Sequence, residues 1–303
     1  MAPKSSPFRS ALAILATIVF AIAIAFVALE GGLRALGWVT LRVRGGNDTP
    51  DRTAYRILYL GESTTFGLGV NPEEAYPVVA TALLAERHPD RRFQGFNRGV
   101  PGMVTNAMLI TLPEKLDTLA PNAVVILAGA NDFNEELNHI ESAESWWIPA
   151  ALVPFVRELR LYKTVRLALE LMRPDVGRQN FLQHGEVVYY RHGTSGNILY
   201  DPPRDEAKIA RVTAQLEANL TTMIERSRQG GAEVVVLGYT RSAAESDIAE
   251  RVAVRTGALW VPMLLSQEEQ TPDLFTADGW HPSAKGHRLI AEKLVPALET
   301  LLD

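Results

Sequence analysis

Ala123-Val124-Val125-Ile126-Leu127-Ala128-Gly129-Ala130-Asn131-Asp132 is the stretch on which the fold turns. Its first half is an unbroken apolar run. A strand with one wet face alternates apolar and polar residues, so Val124 to Leu127 read as a strand covered on both faces, as in a parallel sheet. Glu233-Val234-Val235-Val236-Leu237-Gly238 has the same character. Working outward, three further short runs lie at Arg56–Leu60, Arg92–Asn97 and Ala258–Pro262, each bounded by Gly, Asn, Asp or Pro. Helical patterns fall between and after them, at Ala75–His88, Thr105–Leu119, Arg204–Gln229, Ala243–Thr256 and Ser283–Leu302. Gly230-Gly231 ends the third of these. Strand alternating with helix predicts right-handed crossovers and a three-layer α/β/α domain around a five-stranded parallel sheet.

The N-terminus does not read as part of that domain. Ala11–Leu29 holds no charge, and Thr17 is its one hydroxyl. Nineteen residues at about 1.5 Å each nearly cross a hydrocarbon core of about 30 Å, and Gly31–Gly37 can extend the run. This predicts a single-pass transmembrane anchor in 1–40, a turn-rich linker in 41–54 and the globular domain in 55–303. Lys4 and Arg9 precede the run and Arg34, Arg42 and Arg44 follow it, so charge bias leaves orientation open. Large domains translocate largely regardless of such charges, which favours an extracytoplasmic domain. A cleaved signal peptide, with secretion, is the alternative, because Ala21-Ile22-Ala23 and Ala23-Ile24-Ala25 resemble cleavage sites. A buried core helix is a third reading.

Among the 303 residues there are no cysteines, which excludes disulfides, thiolate metal sites and a cysteine nucleophile. The formal net charge of -5 favours neither nucleic acid nor an anionic membrane surface as partner. The connection from 133 to 204 is long for a compact domain and reads as an insertion. Within it Pro154–Met172 has near-helical apolar spacing, after Trp146-Trp147-Ile148-Pro149. A lid over the site and an extra helix on the sheet edge are both open readings.

Four blocks carry the chemistry. Leu60-Gly61-Glu62-Ser63-Thr64-Thr65-Phe66-Gly67 puts a serine at the carboxyl end of the first strand, where open α/β sheets bind ligands. Val100-Pro101-Gly102-Met103 follows the second strand, and Gly102 can present an unobstructed N–H. Asn131 follows the third strand and can donate an amide N–H to a developing oxyanion. Asp278-Gly279-Trp280-His281-Pro282-Ser283 precedes the last helix. A serine hydroxyl needs a base at neutral pH, histidine titrates in that range, and an aspartate three residues upstream can hold its tautomer. Each block alone is better read as a helix cap, a Pro-Gly turn, an Asx-turn or a solvated loop. The remaining histidines, His88, His139, His184, His192 and His287, read as solvated.

Together the blocks resemble the SGNH/GDSL hydrolase family, in the family's order from about Arg56 to the C-terminus. The resemblance matches Ser63, Gly102, Asn131 and His281 to the four name-giving residues and Asp278 to the aspartate of the Asp-x-x-His block. It implies a flavodoxin-like domain and an esterase, lipase or acetylesterase acting on acyl esters. Ser63, Asp278 and His281 are then catalytic, Ser63, Gly102 and Asn131 form the oxyanion hole, and neither metal nor organic cofactor is used. An anchored O-acyltransferase acting on envelope polysaccharide and a non-catalytic binding protein are the rival readings. One departure stands out: the first block usually reads Gly-Asp-Ser, and here Glu62 takes the aspartate's place.

Overall fold

The computed structural model describes residues 7–45, 49–133, 159–162, 164–165, 179–183, 186–190, 198–200, 206–266 and 268–302. The chain divides into two compact units, Met1–Thr40 with Ser142–Met172, and Leu41–Glu141 with Arg173–Asp303.

In the first unit, helix α1 (Pro7–Gly45) carries Ala13–Thr40, a stretch of 28 residues with mean hydropathy 2.6. Those residues span about 42 Å at 1.5 Å each, longer than a hydrocarbon core. Ile14, Phe20, Ile22 and Val27 are exposed along it. Its hydroxyls are satisfied within the helix, Thr17 by Ala13 O at 2.9 Å and Thr40 by Leu36 O at 2.9 Å. The helix runs past the expected Ala11–Leu29 because Glu30 does not interrupt it. The Glu30 carboxylate accepts from Arg34 Nε at 2.6 Å and from the backbone N–H groups of Arg160 and Leu161 at 3.0 and 2.9 Å. Residues 160–162 and 164–165 are helical, inside the expected Pro154–Met172 helix. The rest of that stretch, and Trp146–Pro149, lie outside the described residues.

The second unit is built on strands β1 (Tyr55–Gly61), β2 (Phe93–Gly99) and β3 (Ala123–Leu127). A short helix α2 (Ser63–Phe66) and helix α3 (Tyr76–Arg87) join β1 to β2, and helix α4 (Thr105–Leu119) joins β2 to β3. Strands β4 (Gln179–Gln183), β5 (Glu186–Tyr190) and β6 (Ile198–Tyr200) form a separate antiparallel sheet in the insertion, which the sequence reading missed. Helix α5 (Glu206–Gln229), strand β7 (Glu233–Leu237), helix α6 (Ala243–Thr256), strand β8 (Leu259–Val261) and helix α7 (Ala284–Glu299) complete the chain.

The main sheet is parallel, with order β2-β1-β3-β7-β8. Its five strands match the expected runs to within a residue or two. The unbroken apolar strands are explained by coverage on both faces. Val124, Ile126, Val234 and Val236 pack under α4, α5 and α6 with Met108, Leu216 and Val252. Val125, Leu127, Val235 and Leu237 point the other way, under α3 and α7 with Leu84, Ile290 and Leu294. The order reverses between β1 and β3: the chain steps from β1 outward to β2, then back across to β3. The helices that follow β1 and β3, α3 and α5, therefore lie on opposite faces, the switch point at whose carboxyl ends open α/β sheets bind ligands.

Candidate active site

Ser63 opens α2 in the first turn beyond β1. As the first residue of that helix its N–H has no intrahelical acceptor. The turn is tight enough that β2 must approach it closely. A Cβ on Gly99 would lie 2.7 Å from Phe66 Cα, so only glycine fits there. Asn97, buried in β2, ties the two together by donating to Thr65 O at 2.8 Å.

His281 Nε2 lies 2.8 Å from Ser63 Oγ, and His281 Nδ1 lies 2.5 Å from Asp278 Oδ2. A carboxylate accepts, so Nδ1 carries the proton and Nε2 is the acceptor facing the serine hydroxyl. The imidazole is buried, whereas Ser63 is partly exposed. Asp278 Oδ1 accepts from Thr276 Oγ1 at 2.7 Å, Trp280 N at 2.8 Å and His281 N at 2.9 Å. Partial burial pushes the Asp278 carboxyl up, but the bonds from His281, Trp280 and Thr276 outweigh it and hold the group well below the usual carboxylate range.

The loop carrying this pair is held from outside. Thr276 N donates to His281 O at 2.8 Å. Arg241 donates to Gly279 O, bonds Gln270 Oε1 at 3.0 Å and stacks its guanidinium 4.7 Å from the Phe275 ring centre. Trp280 stacks on Tyr239 with ring centres 6.4 Å apart.

Gly102 sits third in the turn Val100–Met103, closed by Met103 N to Val100 O at 3.1 Å. Its φ of 71° is the left-handed value that a Pro-Gly turn of this type needs at that position. Val100 N donates to Gly61 O at 3.1 Å, which sets this turn beside the first block. Asn131 Nδ2 donates to Met103 O at 3.1 Å, which joins the second and third blocks. An amide carries two hydrogens, and Asn131 makes no second side-chain bond among the described residues.

Glu62 is buried beneath these loops. Its Oε1 accepts from Gly129 N at 2.8 Å and Asn131 N at 3.4 Å. Tyr239 also bonds this carboxyl, and its hydroxyl accepts from Ala130 N at 3.2 Å. Burial pushes Glu62 up to about 8, with the Asp132 charge adding to the shift and the bonds from Gly129, Asn131 and Tyr239 opposing it. Asp132 is buried too and accepts from Thr105, by its N–H at 3.1 Å and by its hydroxyl. It thereby supplies the start of α4 with an acceptor. Burial raises Asp132 to about 6 against the Thr105 bonds.

All five residues singled out from sequence thus lie at one end of the sheet, linked through the contacts above. Glu62's partners, Asp132 and Arg241 were missed. Asp132 adjoins Asn131 and could have been suspected, whereas nothing local marks Arg241. The solvated reading of His287 is overturned. It is fully buried on α7, stacks on Tyr76, and accepts from Tyr76 N at 3.3 Å. Burial, followed by the His281 charge, depresses it to about 4. His88 is half-buried against Glu299 at 3.1 Å. His139, His184 and His192 lie outside the described residues.

Residues 59–289 match the profile of the GDSL-like lipase/acylhydrolase family. A comparison with curated proteins finds no match. Among solved structures, TesA is 19% identical, with a TM-score of 0.49 over 82% of this chain and 99% of its own. LAE5, an α/β hydrolase enzyme from the metagenome of Lake Arreo, is 18% identical, with a TM-score of 0.49 over 85% and 100%. The psychrotrophic esterase EstA from Pseudoalteromonas sp. is 15% identical, with a TM-score of 0.48 over 82% and 98%.

Proposed function

The chain belongs to the GDSL-like lipase/acylhydrolase family and hydrolyses esters, and on that footing we propose that it works through an acyl-enzyme on Ser63. The observation that carries this reading is the continuous chain from Ser63 Oγ through His281 to Asp278, at 2.8 and 2.5 Å. His281 Nε2 takes the Ser63 proton as Oγ attacks the ester carbonyl. The tetrahedral oxyanion is received by the N–H groups of Ser63 and Gly102 and the free hydrogen of the Asn131 amide. His281, now charged and steadied by Asp278, returns the proton to the leaving alcohol. Water then enters by the same route and frees the acid. Apart from the ester and water, these steps use only protein groups.

Helix α1 is the single-pass anchor in this reading and holds the catalytic domain on the extracytoplasmic side. Its exposed apolar surface and length support the assignment.

The test is hydrolysis of a short-chain aryl ester by the full chain in detergent. Ser63→Ala is expected to lose at least about a thousandfold in kcat. Equal rates for variant and wild type would remove Ser63 from the role of nucleophile.

A further inference from the structure

A second polar site lies at the opposite end of the sheet. A cavity of about 410 Å³ opens where the linker enters β1, lined by Arg52, Arg56, Arg91 and Arg92 together with Asp90 and Asn122. Four guanidinium groups stand against three carboxylates, Asp90 in the lining, Asp51 beside it and Glu233 near enough to act on Tyr55 in the lining, so the site is net positive by one charge. The partners of these arginines matter more than their number. Arg92 is paired with Asp51 at 3.2 Å. Arg56 donates to Ala120 O at 2.7 Å and Ala54 O at 3.1 Å, and Arg91 donates to Leu302 O at 2.5 Å. Backbone carbonyls orient a guanidinium without neutralising it. Arg52 makes no ion pair with a described residue. Among the described residues Arg52, Arg56 and Arg91 thus form no close ion pair, and the guanidinium groups outnumber the nearby carboxylates, which is the arrangement a phosphate oxyanion needs.

The tether says which phosphate reaches it. Six residues, and so seven Cα-to-Cα steps, separate Gly45, the last of α1, from Arg52. Fully extended they reach at most about 25 Å. The pocket is therefore confined near the surface of any bilayer that α1 spans, and no association step is needed to bring it there. The net charge of -5 belongs to the whole chain. Charges more than about 8–10 Å away are screened at physiological salt, so the local cluster governs binding.

We propose that this arginine pocket binds the phosphate of anionic phospholipid headgroups in the bilayer that holds α1. The proposal rests on the anchor reading and not on the catalytic one. It also bears on substrate. β1 runs for seven residues, about 20 Å, from the pocket to the Ser63 end. Headgroup capture at the amino end turns Ser63 toward the aqueous side, so the ester arrives from solvent or on a projecting polymer.

The experiment uses the full chain in lipid nanodiscs, of phosphatidylcholine alone or with one third phosphatidylglycerol. The readout is backbone hydrogen exchange over 49–56 and 88–93. Exchange is expected to slow several-fold in the anionic discs only. The slowing should halve in Arg52→Gln, which leaves the Leu302 bond intact, vanish in the Arg52→Gln/Arg91→Gln pair, and vanish in high salt. Aryl-ester turnover, read about 20 Å away, should stay at the wild-type rate in both variants and reports that they are folded. Equal exchange in the two discs overturns the proposal. Equal slowing by inorganic phosphate in neutral discs overturns the lipid assignment and leaves a free-anion site. Failure of the wild type to enter neutral discs overturns the anchor reading and the tethering argument with it, whatever the esterase assay gives.

Discussion

Shortening Glu62 to aspartate withdraws its carboxylate by one methylene, about 1.2–1.5 Å. Oε1 now sits 2.8 Å from Gly129 N and 3.4 Å from Asn131 N. After retraction both distances exceed hydrogen-bonding range. A buried N–H left without an acceptor costs about 1–3 kcal/mol, and the lost methylene adds about 1 kcal/mol. The expected destabilisation of Glu62→Asp is therefore about 2–4 kcal/mol, a fall in Tm of roughly 5–10 °C for a domain of this size. The loop released carries Asn131. Misplacing one oxyanion donor costs up to about 3–4 kcal/mol, so kcat should drop between about 10- and 1000-fold with little change in KM. Glu62→Gln is the control, because it keeps the length and an acceptor oxygen. It also removes a titration. With the folded pKa raised to about 8, Glu62 stays protonated in the folded protein while the unfolded chain ionises near pH 4.5. Its contribution is thus complete below about pH 4.5 and is lost as pH rises toward 8. Glu62→Gln should flatten that part of the stability profile and keep most of the activity. Thermal melts from pH 4 to 9 and aryl-ester kinetics read both effects. An aspartate variant that melts and turns over like wild type would refute the argument, since the family's usual residue would then serve equally well here.

Asn131→Ala should lower kcat by about 10²–10³ with KM nearly unchanged, read by steady-state ester kinetics. Asp278→Asn should cost up to about 10⁴ in kcat, because the amide favours the wrong histidine tautomer. It should also remove an acid-stability limb. The depressed Asp278 pKa adds stability above about pH 4 that is lost as pH falls below that, so wild type and variant should converge in Tm under acid. Arg241→Ala frees Gly279 O and the face of Phe275, and should lower kcat several-fold by loosening the Asp278–His281 loop. Larger B-factors or faster hydrogen exchange over 276–282 would accompany that loss.

The strands and the candidate site residues were legible because each is written locally. Val124–Leu127 declares its burial by composition, and Asp278 and His281 are three residues apart on one loop. The supporting residues act across long separations. Glu62 meets Gly129 67 residues away, and Arg241 meets Gly279 38 residues away. Neither bond leaves a mark in its own segment. The antiparallel sheet β4–β6 was missed for a related reason. A run such as Gln179-Asn180-Phe181-Leu182-Gln183 shows no alternation, and its identity lies in pairing with Glu186–Tyr190. His287 is different, since the signal was present. The buried residues of α7 are Gly286, His287, Ile290, Ala291, Leu294, Val295 and Leu298, a helical stripe that already places the imidazole inside. A solvated imidazole is incompatible with that stripe, because His287 falls on its apolar face.

The cost of burying Glu62 and Asp132 becomes intelligible at the point where the sheet stops. Pairing of β1 with β3 ends at Gly61 and Leu127. Beyond it the two chains diverge to opposite faces, and the N–H groups of Gly129, Ala130 and Asn131 have no strand to donate to. Side chains take over as the ladder's continuation: Glu62 for Gly129 and Asn131, Tyr239 for Ala130, and Asp132 for the first N–H of α4. A carboxyl is suited to this because it can accept from two donors at once. The same divergence leaves Ser63 partly exposed and the second Asn131 amide hydrogen without a partner among the described residues. Removing these acceptors to gain stability would therefore loosen the part of the fold that shapes the site, which is why a group raised to about 8 by its own burial is placed one residue from Ser63.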